Sequence, residues 1–440
     1  MASNAAKTPI MQAISKRNYA TAAKIAQACA EVQVKVLPNK LILAAADSEV
    51  PISRVSLLFR AGSRYETPDN LGVSSVLRSS GGLTTSNSSG FGIVRNLQQI
   101  GASLSVTSDR ESIAYTLDAT PDKIEKGLPF LVDAATKQVF KPWELDDQVP
   151  RIKYELATTS PQAKVLDLVV NAAYRSGLGN SIFVKDYNIG KINSETLQYF
   201  VAQNFTAPRG ALVGVGVSLE HLHHLAESLN LPSSPGSHEA PKYYGGEIRH
   251  DLPSSHVHIA LAAESAGLKT KEALVFSVLR AALGAGSYVK YGVGAGPLGK
   301  LIAESKEPLG ISAFSNSFSD SGLFGLVLST TAHNAKVAVE AAVKLLQSGS
   351  VSDADVARGK ALVKATLLQN YESGEGVVED IGAQALLLGT VLGAPQIAAA
   401  VDSITTAHVQ DAARKVASGK KSMAAYGNLR YTPYLDQVAK

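Results

Sequence analysis

The chain has 440 residues, of which 45% are apolar and 18% charged. That composition gives room for two or more domains with ample core and excludes a disordered chain. The net charge of +4 comes from 42 basic against 38 acidic residues, with no basic stripe in the body, which argues against nucleic-acid binding. In chain order, residues 1–30 hold Lys7, Lys16, Arg17 and Lys24 and no acid before Glu31. A basic segment rich in Ala and Ser and free of acids is the composition of a mitochondrial transit peptide. Arg17, two residues before Tyr19, places the expected cleavage after residue 19, with residue 30 as the outer limit of the segment. Cys29, the one cysteine, excludes an internal disulfide and a zinc site built from several thiolates.

Beyond this segment the chain is written twice. Arg54 to Phe59 reads as a strand, and so does His256 to Leu261. Ser75-Val76-Leu77-Arg78 recurs at the same offset as Ser277-Val278-Leu279-Arg280. Ser108-Asp109, before the strand Ile113 to Asp118, recurs at a slightly larger offset as Ser319-Asp320, before the strand Leu323 to Ser329. The extra residues enter between Arg280 and Ser319, where the glycine-rich stretch Gly284 to Gly299 lies. Two halves in the same order, with one localised insertion, indicate an internal duplication. Helical patterns follow the strands in each half: Asp122 to Val139 and Glu144 to Arg175, then Asn334 to Gln347 and Asp353 to Leu388. Early strands and late helices predict an α+β fold of two homologous halves, each a mostly antiparallel sheet packed with helices. The expected boundaries are residues 36–230 and 247–440, joined by a Pro- and Ser-rich linker at residues 231–246.

Several features suggest chemistry and are outweighed by plainer readings. His221, His223 and His224 read as a solvated helix face, because a catalytic metal needs three convergent ligands. His256 and His258 share one strand face and match Arg54 and Ser56 in the repeat, so an exposed polar face is expected. Asp109 and Glu111 flank Arg110, the pattern of a salt-bridged surface. The glycine-rich stretch lacks the Gly-Lys-Ser/Thr ending of a phosphate-binding loop and reads as a surface loop. The uncharged run Ile381 to Val401 is broken by Gly389, Gly393 and Pro395. It predicts a buried helix, a turn and a second helix, not a membrane span.

Leu37-Pro38-Asn39-Lys40-Leu41, Ala61-Gly62-Ser63-Arg64-Tyr65-Glu66 and Leu71-Gly72-Val73-Ser74 resemble the opening of the pitrilysin-type (M16-like) metallopeptidases. That family includes the mitochondrial processing peptidase and the core proteins of the cytochrome bc1 complex. Its active members continue with a His-x-x-Glu-His box on a helix, two histidines for zinc and a glutamate to activate water. Here the box positions read Ser75-Val76-Leu77-Arg78-Ser79. Both histidines are replaced by serine, and the general base by a cation that cannot take a proton. The third ligand of active members is a later glutamate; the matching region is Glu144 to Glu155, with Asp147 near the expected position. The resemblance thus implies a degenerate box at Ser75, Arg78 and Ser79, with no catalytic residue, metal or cofactor.

Further strings, among them Leu104 to Glu111, Gly245 to Arg249, Ser312 to Phe314 and Lys421 to Ala425, resemble the non-catalytic core-protein branch. This implies a scaffold peripheral to the mitochondrial inner membrane on its matrix side. The implied partners are core protein 1, cytochrome b, cytochrome c1 and the Rieske protein, with a presequence peptide in the inter-core cavity. The alternative implied is the non-catalytic, substrate-binding subunit of the processing peptidase.

Overall fold

The computed structural model describes residues 32–47, 50–236, 239–284, 296–349 and 351–438. The expected transit segment, Cys29 and residues 285–295 of the glycine-rich stretch lie outside them. The first half contributes strands β1 (Val32–Val36), β2 (Ile42–Ala46), β3 (Ser53–Phe59), β4 (Ser103–Ser108), β5 (Ile113–Ala119) and β6 (Gly210–Val215). Its helices are α1 (Val73–Ser79), α2 (Gly90–Gln99), α3 (Ile124–Thr136), α4 (Pro142–Thr158), α5 (Pro161–Tyr174), α6 (Ser194–Asn204) and α7 (Leu219–Ser228). The second half contributes β7 (Gly246–Asp251), β8 (His256–Glu264), β9 (Leu309–Ser317), β10 (Gly322–Thr331) and β11 (Lys421–Gly427). Its helices are α8 (Glu272–Leu283), α9 (Pro297–Glu304), α10 (Ala335–Ser348), α11 (Asp353–Tyr371), α12 (Gly374–Leu388), α13 (Ala394–Ser403), α14 (Thr406–Ser418) and α15 (Leu435–Val438).

The strands form two sheets, ordered β1-β2-β6-β3-β5-β4 and β7-β11-β8-β10-β9. All neighbours are antiparallel except β2 with β6 and β7 with β11. The sheets match strand for strand, with β1 as an extra strand on the first, so the α+β duplication expected from the sequence is present. The segment expected to be one helical pattern from Glu144 to Arg175 divides into α4 and α5. Ser160 caps α5 by accepting from the Ala163 N–H, and Pro161 follows at its first position, a combination that starts a new helix. The uncharged run forms α12, a turn and α13; α12 ends at Gly389, whose φ of 76° suits glycine. Among the described residues no helix is long and apolar enough to cross a membrane.

Each sheet buries one face under its own helices. Leu43, Val55, Leu57, Tyr115 and Leu117 share a core with Val76 and Leu77 of α1, Leu131 of α3 and Phe200 of α6. Ile259, Leu261, Leu326 and Met423 do the same with Phe276 and Leu279 of α8 and Val339 of α10. The opposite faces are covered by exchange. From the first half, α5 lays Val165, Val169, Ala173 and Tyr174 on Ala260, Ala262, Val327 and Ala424 of the second sheet. From the second half, α12 lays Val378, Ile381 and Ala385 on Ala44, Leu58, Val213 and Val215 of the first. Arg60 at the end of β3 donates to the Leu386 carbonyl, Nε–O 2.9 Å, placing a cation at the negative end of α12.

This exchange corrects two expectations. The face carrying Arg54 and Ser56 is not exposed: Ser56 is buried under α12 and bonds Thr116, 2.9 Å away. His258 is half-buried and bonds Ser329, Nδ1–Oγ 2.7 Å, and Gln162 of α5 reaches the same hydroxyl; only His256 stays exposed. Burial, and then the neighbouring His256, hold the His258 pKa below the ordinary histidine value. The third correction concerns Arg110 and Glu111, which are 5% and 3% exposed and so do not form a surface. Arg110 pairs with Asp167 of α5 and donates to the Leu178 carbonyl. Glu111 pairs with Arg64, Oε1–Nη1 2.6 Å, and accepts from the backbone N–H of Ser319 at 2.8 Å. Arg64 in turn reaches Asp320, Nη2–Oδ2 2.7 Å. The β4–β5 turn of one half and the β9–β10 turn of the other, which are repeat equivalents, are clasped through one guanidinium.

Candidate functional site

The box positions lie on α1, between the first sheet and α4. The helix begins at Gly72, whose φ of 95° places it in the left-handed region. Glu66 serves as its N-terminal acceptor. Its carboxylate takes hydrogen bonds from the N–H of Gly72 (2.7 Å), the N–H of Ser74 (2.9 Å) and the Ser74 hydroxyl (2.6 Å). Burial still outweighs these bonds and raises the Glu66 pKa from 4.5 to about 7.

Ser75 and Ser79 are both buried, one turn apart. The Ser79 hydroxyl donates to the Ser75 carbonyl at 3.1 Å, the local back-bond typical of serine inside a helix. Arg78 points toward α4 and pairs with Glu155, Nη2–Oε1 2.5 Å. Ile152, one turn earlier on α4, is buried against the same core. Glu155, and not Asp147, is therefore the acid of this helix that meets the box positions; Asp147 is exposed. Sequence spacing bracketed the acid, but helical phase decided it, because Glu155 falls on the inward side with Leu145 and Ile152. Glu144, at the other end of the bracket, accepts from the backbone N–H of Thr84 at 3.1 Å.

This donor set does not fit a zinc ion. One hydroxyl is engaged by the backbone, the cation would repel a metal, and the one carboxylate is already neutralised by it. Elsewhere, His221 lies 3.5 Å from Glu125, and His223 and His224 lie beside Glu227, 3.4 and 3.5 Å away, on the outer side of α7. They form a solvated helix face, as expected. Among the described residues no three His, Cys, Asp or Glu side chains gather as a metal site. The arrangement at α1 supports packing and charge neutralisation.

Two sheets with reciprocal helices and an α1–α4 pair under the first define a duplicated, peptidase-like α+β architecture. Residues 41–186 match the family model "Insulinase (Peptidase family M16)", and residues 191–363 match "Peptidase M16 inactive domain". The chain belongs to the insulinase family, peptidase family M16. It is 40% identical over 417 residues to cytochrome b-c1 complex subunit 2, mitochondrial, of Rattus norvegicus, covering 93% of this chain and 92% of that protein. The Homo sapiens protein of the same name gives the same figures, 40% identity and 93% and 92% coverage. The mitochondrial-processing peptidase subunit alpha of Solanum tuberosum is 32% identical, over 93% of this chain and 84% of that protein.

Proposed function

We propose that the chain is a non-catalytic scaffold subunit of the mitochondrial cytochrome bc1 complex. The observation that carries this reading is the 40% identity to subunit 2 of that complex along 92% of the relative's length. The potato processing-peptidase subunit, at 32% over a similar span, supports the substrate-binding alternative less well. The Arg78–Glu155 pair supports a degenerate box: where active members of the family would need a base and a metal, this chain has an ion pair. Electron transfer then belongs to other subunits, and this chain supplies surface and shape.

In this reading the chain sits on the matrix side of the inner membrane, peripheral to it, after loss of residues 1–19. It pairs with core protein 1 and supports cytochrome b, cytochrome c1 and the Rieske protein. The two halves, residues 36–230 and 247–440 with residues 231–246 between them, form a clamp that faces core protein 1 across a cavity able to hold a presequence peptide. The test is native-gel migration of a mild detergent extract. Co-migration with cytochrome b and cytochrome c1 is expected. A matrix-soluble heterodimer that cleaves presequences would overturn the reading in favour of the processing peptidase.

A further inference from the structure

A cavity of about 70 Å³ opens between the C-terminal end of α5, the loop that follows it and the turn leading into α1. Its walls include Asn171 and Arg175 at the end of α5, Asn180, Ser181 and Lys185 of the loop, and Glu66. Three of these side chains are committed to the fold. Asn180 donates to the carbonyls of Ser63 and Glu66 at 3.0 and 3.1 Å, Ser181 donates to Asp167 at 2.6 Å, and Glu66 receives the N–H groups that begin α1. The other three have donors to spare. The Asn171 amide, the Arg175 guanidinium and the Lys185 ammonium make no hydrogen bond or ion pair among the described residues.

The backbone at Arg175 is itself unusual. Its φ of 66° and ψ of −48° lie outside the left-handed helical well, and the Ser176 N–H bonds the Tyr174 carbonyl at 2.8 Å. This is the γ-turn of positive φ, rare and strained. Such strain persists only where the surrounding structure holds the residue in place. The Tyr244 ring backs the guanidinium, with Cζ 5.0 Å from the ring centroid, a contact that uses none of its N–H donors. A cation after the last turn of α5 also complements that helix's carbonyls, but this needs neither the strained turn nor the cavity. Glu66 is the one acid among the walls. With a pKa of about 7, its carboxyl is half protonated near neutral pH, and the two cations outweigh it.

We propose that this cavity binds a single phosphate-type oxyanion, held by the Arg175 guanidinium, the Lys185 ammonium and the Asn171 amide. The class of ligand follows from the donors. All three give protons, two carry charge, and the planar fork of a guanidinium matches the edge of an oxyanion. The size follows from the volume, which is far below the roughly 300 Å³ at which pockets begin to hold larger organic ligands. The oxyanion is either free inorganic phosphate or the terminal phosphate of a lipid headgroup. The site touches the start of α1 through Glu66 but uses no residue of the box, and it does not depend on the reading of the chain as a subunit.

The test titrates the full-length chain with inorganic phosphate at neutral pH by isothermal titration calorimetry. In parallel the chain is floated with phosphatidylcholine vesicles with and without phosphatidic acid. Saturable binding of one phosphate per chain assigns the free ion, and flotation only with phosphatidic acid assigns a headgroup. Arg175→Gln made together with Lys185→Gln weakens the binding about tenfold or more. Both side chains are exposed, so the melting temperature stays within about 2 °C of wild type. Lys35→Gln with Lys336→Gln removes the same charge from two exposed positions elsewhere and leaves the binding unchanged. The site is overturned if neither probe binds the wild type, if the Arg175 and Lys185 variant binds as well as wild type, or if both double variants weaken binding alike.

Discussion

At the scale of single residues, α1 carries two predictions. Glu66 has a folded pKa of about 7 against 4.5 for the free side chain. Between those values the native state holds a proton that the unfolded state has released. Stability therefore falls as pH rises through this window, by about 3 kcal/mol when complete. Glu66→Gln should flatten that slope, as read by urea unfolding at a series of pH values from 5 to 8. An unchanged slope would assign the effect to another group. The second prediction concerns the box. Ser75→His, Arg78→Glu and Ser79→His, made together with Glu155 kept, should bind zinc at close to one per chain by elemental analysis. The single variants should not, since two imidazoles and a carboxylate must converge. Arg78→Ala alone should cost no more than about 1 kcal/mol, because the pair is 24% and 40% exposed. That Ser75 to Ser79 share a helix was legible in the sequence because they are local, five consecutive residues in one short element. The acid opposite them was only bracketed, since helical phase chose Glu155 over Asp147. The burial of Arg110 and Glu111 was not legible at all, because their partners lie in α5 and in the other half.

At the scale of elements, the paired central strands of each half and the main helical patterns were readable from periodicity and the repeat, although the patterns Glu144 to Arg175 and Asp353 to Leu388 each proved to be two helices. What could not be read was which sheet each helix covers. The patterns of α5 and α12 announce an apolar face, and that face says nothing about the strand it meets. Ala260 and Ala262 in β8, and Ala44 and Ala46 in β2, are small where the foreign helices approach, but small residues alone do not identify a partner. The exchange makes a prediction that crosses the halves. Ile381 is fully buried on α12, and Ile381→Ala should cost about 2–5 kcal/mol. Its hydrogen-exchange signature should appear in β2 and β6 of the first sheet. Val169→Ala on α5 should instead loosen β8 and β11. If each substitution perturbed the sheet of its own half, the exchange would not hold in solution. Gly382 gives a steric check. A Cβ there would come within 2.9 Å of Leu58 Cδ2, so Gly382→Val should destabilise the chain by about 1–3 kcal/mol, measured by thermal melting.

At the scale of the whole molecule, two exchanged helices and the Arg64 clasp make one body of two repeats. Arg64 and Glu111 are 3% and 4% exposed at their side chains, so removing one partner strands the other without water. Arg64→Ala should cost about 3–5 kcal/mol in chemical denaturation, because Glu111 is left buried without its cation. Neither half, expressed alone, should show a cooperative melt, since each lacks the helix that covers its sheet. The exchange also has a consequence in time. A chain is made from its N-terminus, and the first sheet is complete at Val215, but the helix that seals it ends only at Leu388. Throughout that interval Ala44, Leu58 and Val213 stand open to whatever else is near. The second sheet, by contrast, finds α5 already made and waiting. Emerging in chain order, the first half thus keeps apolar surface uncovered until most of the sequence has appeared, and is the half more open to misassociation.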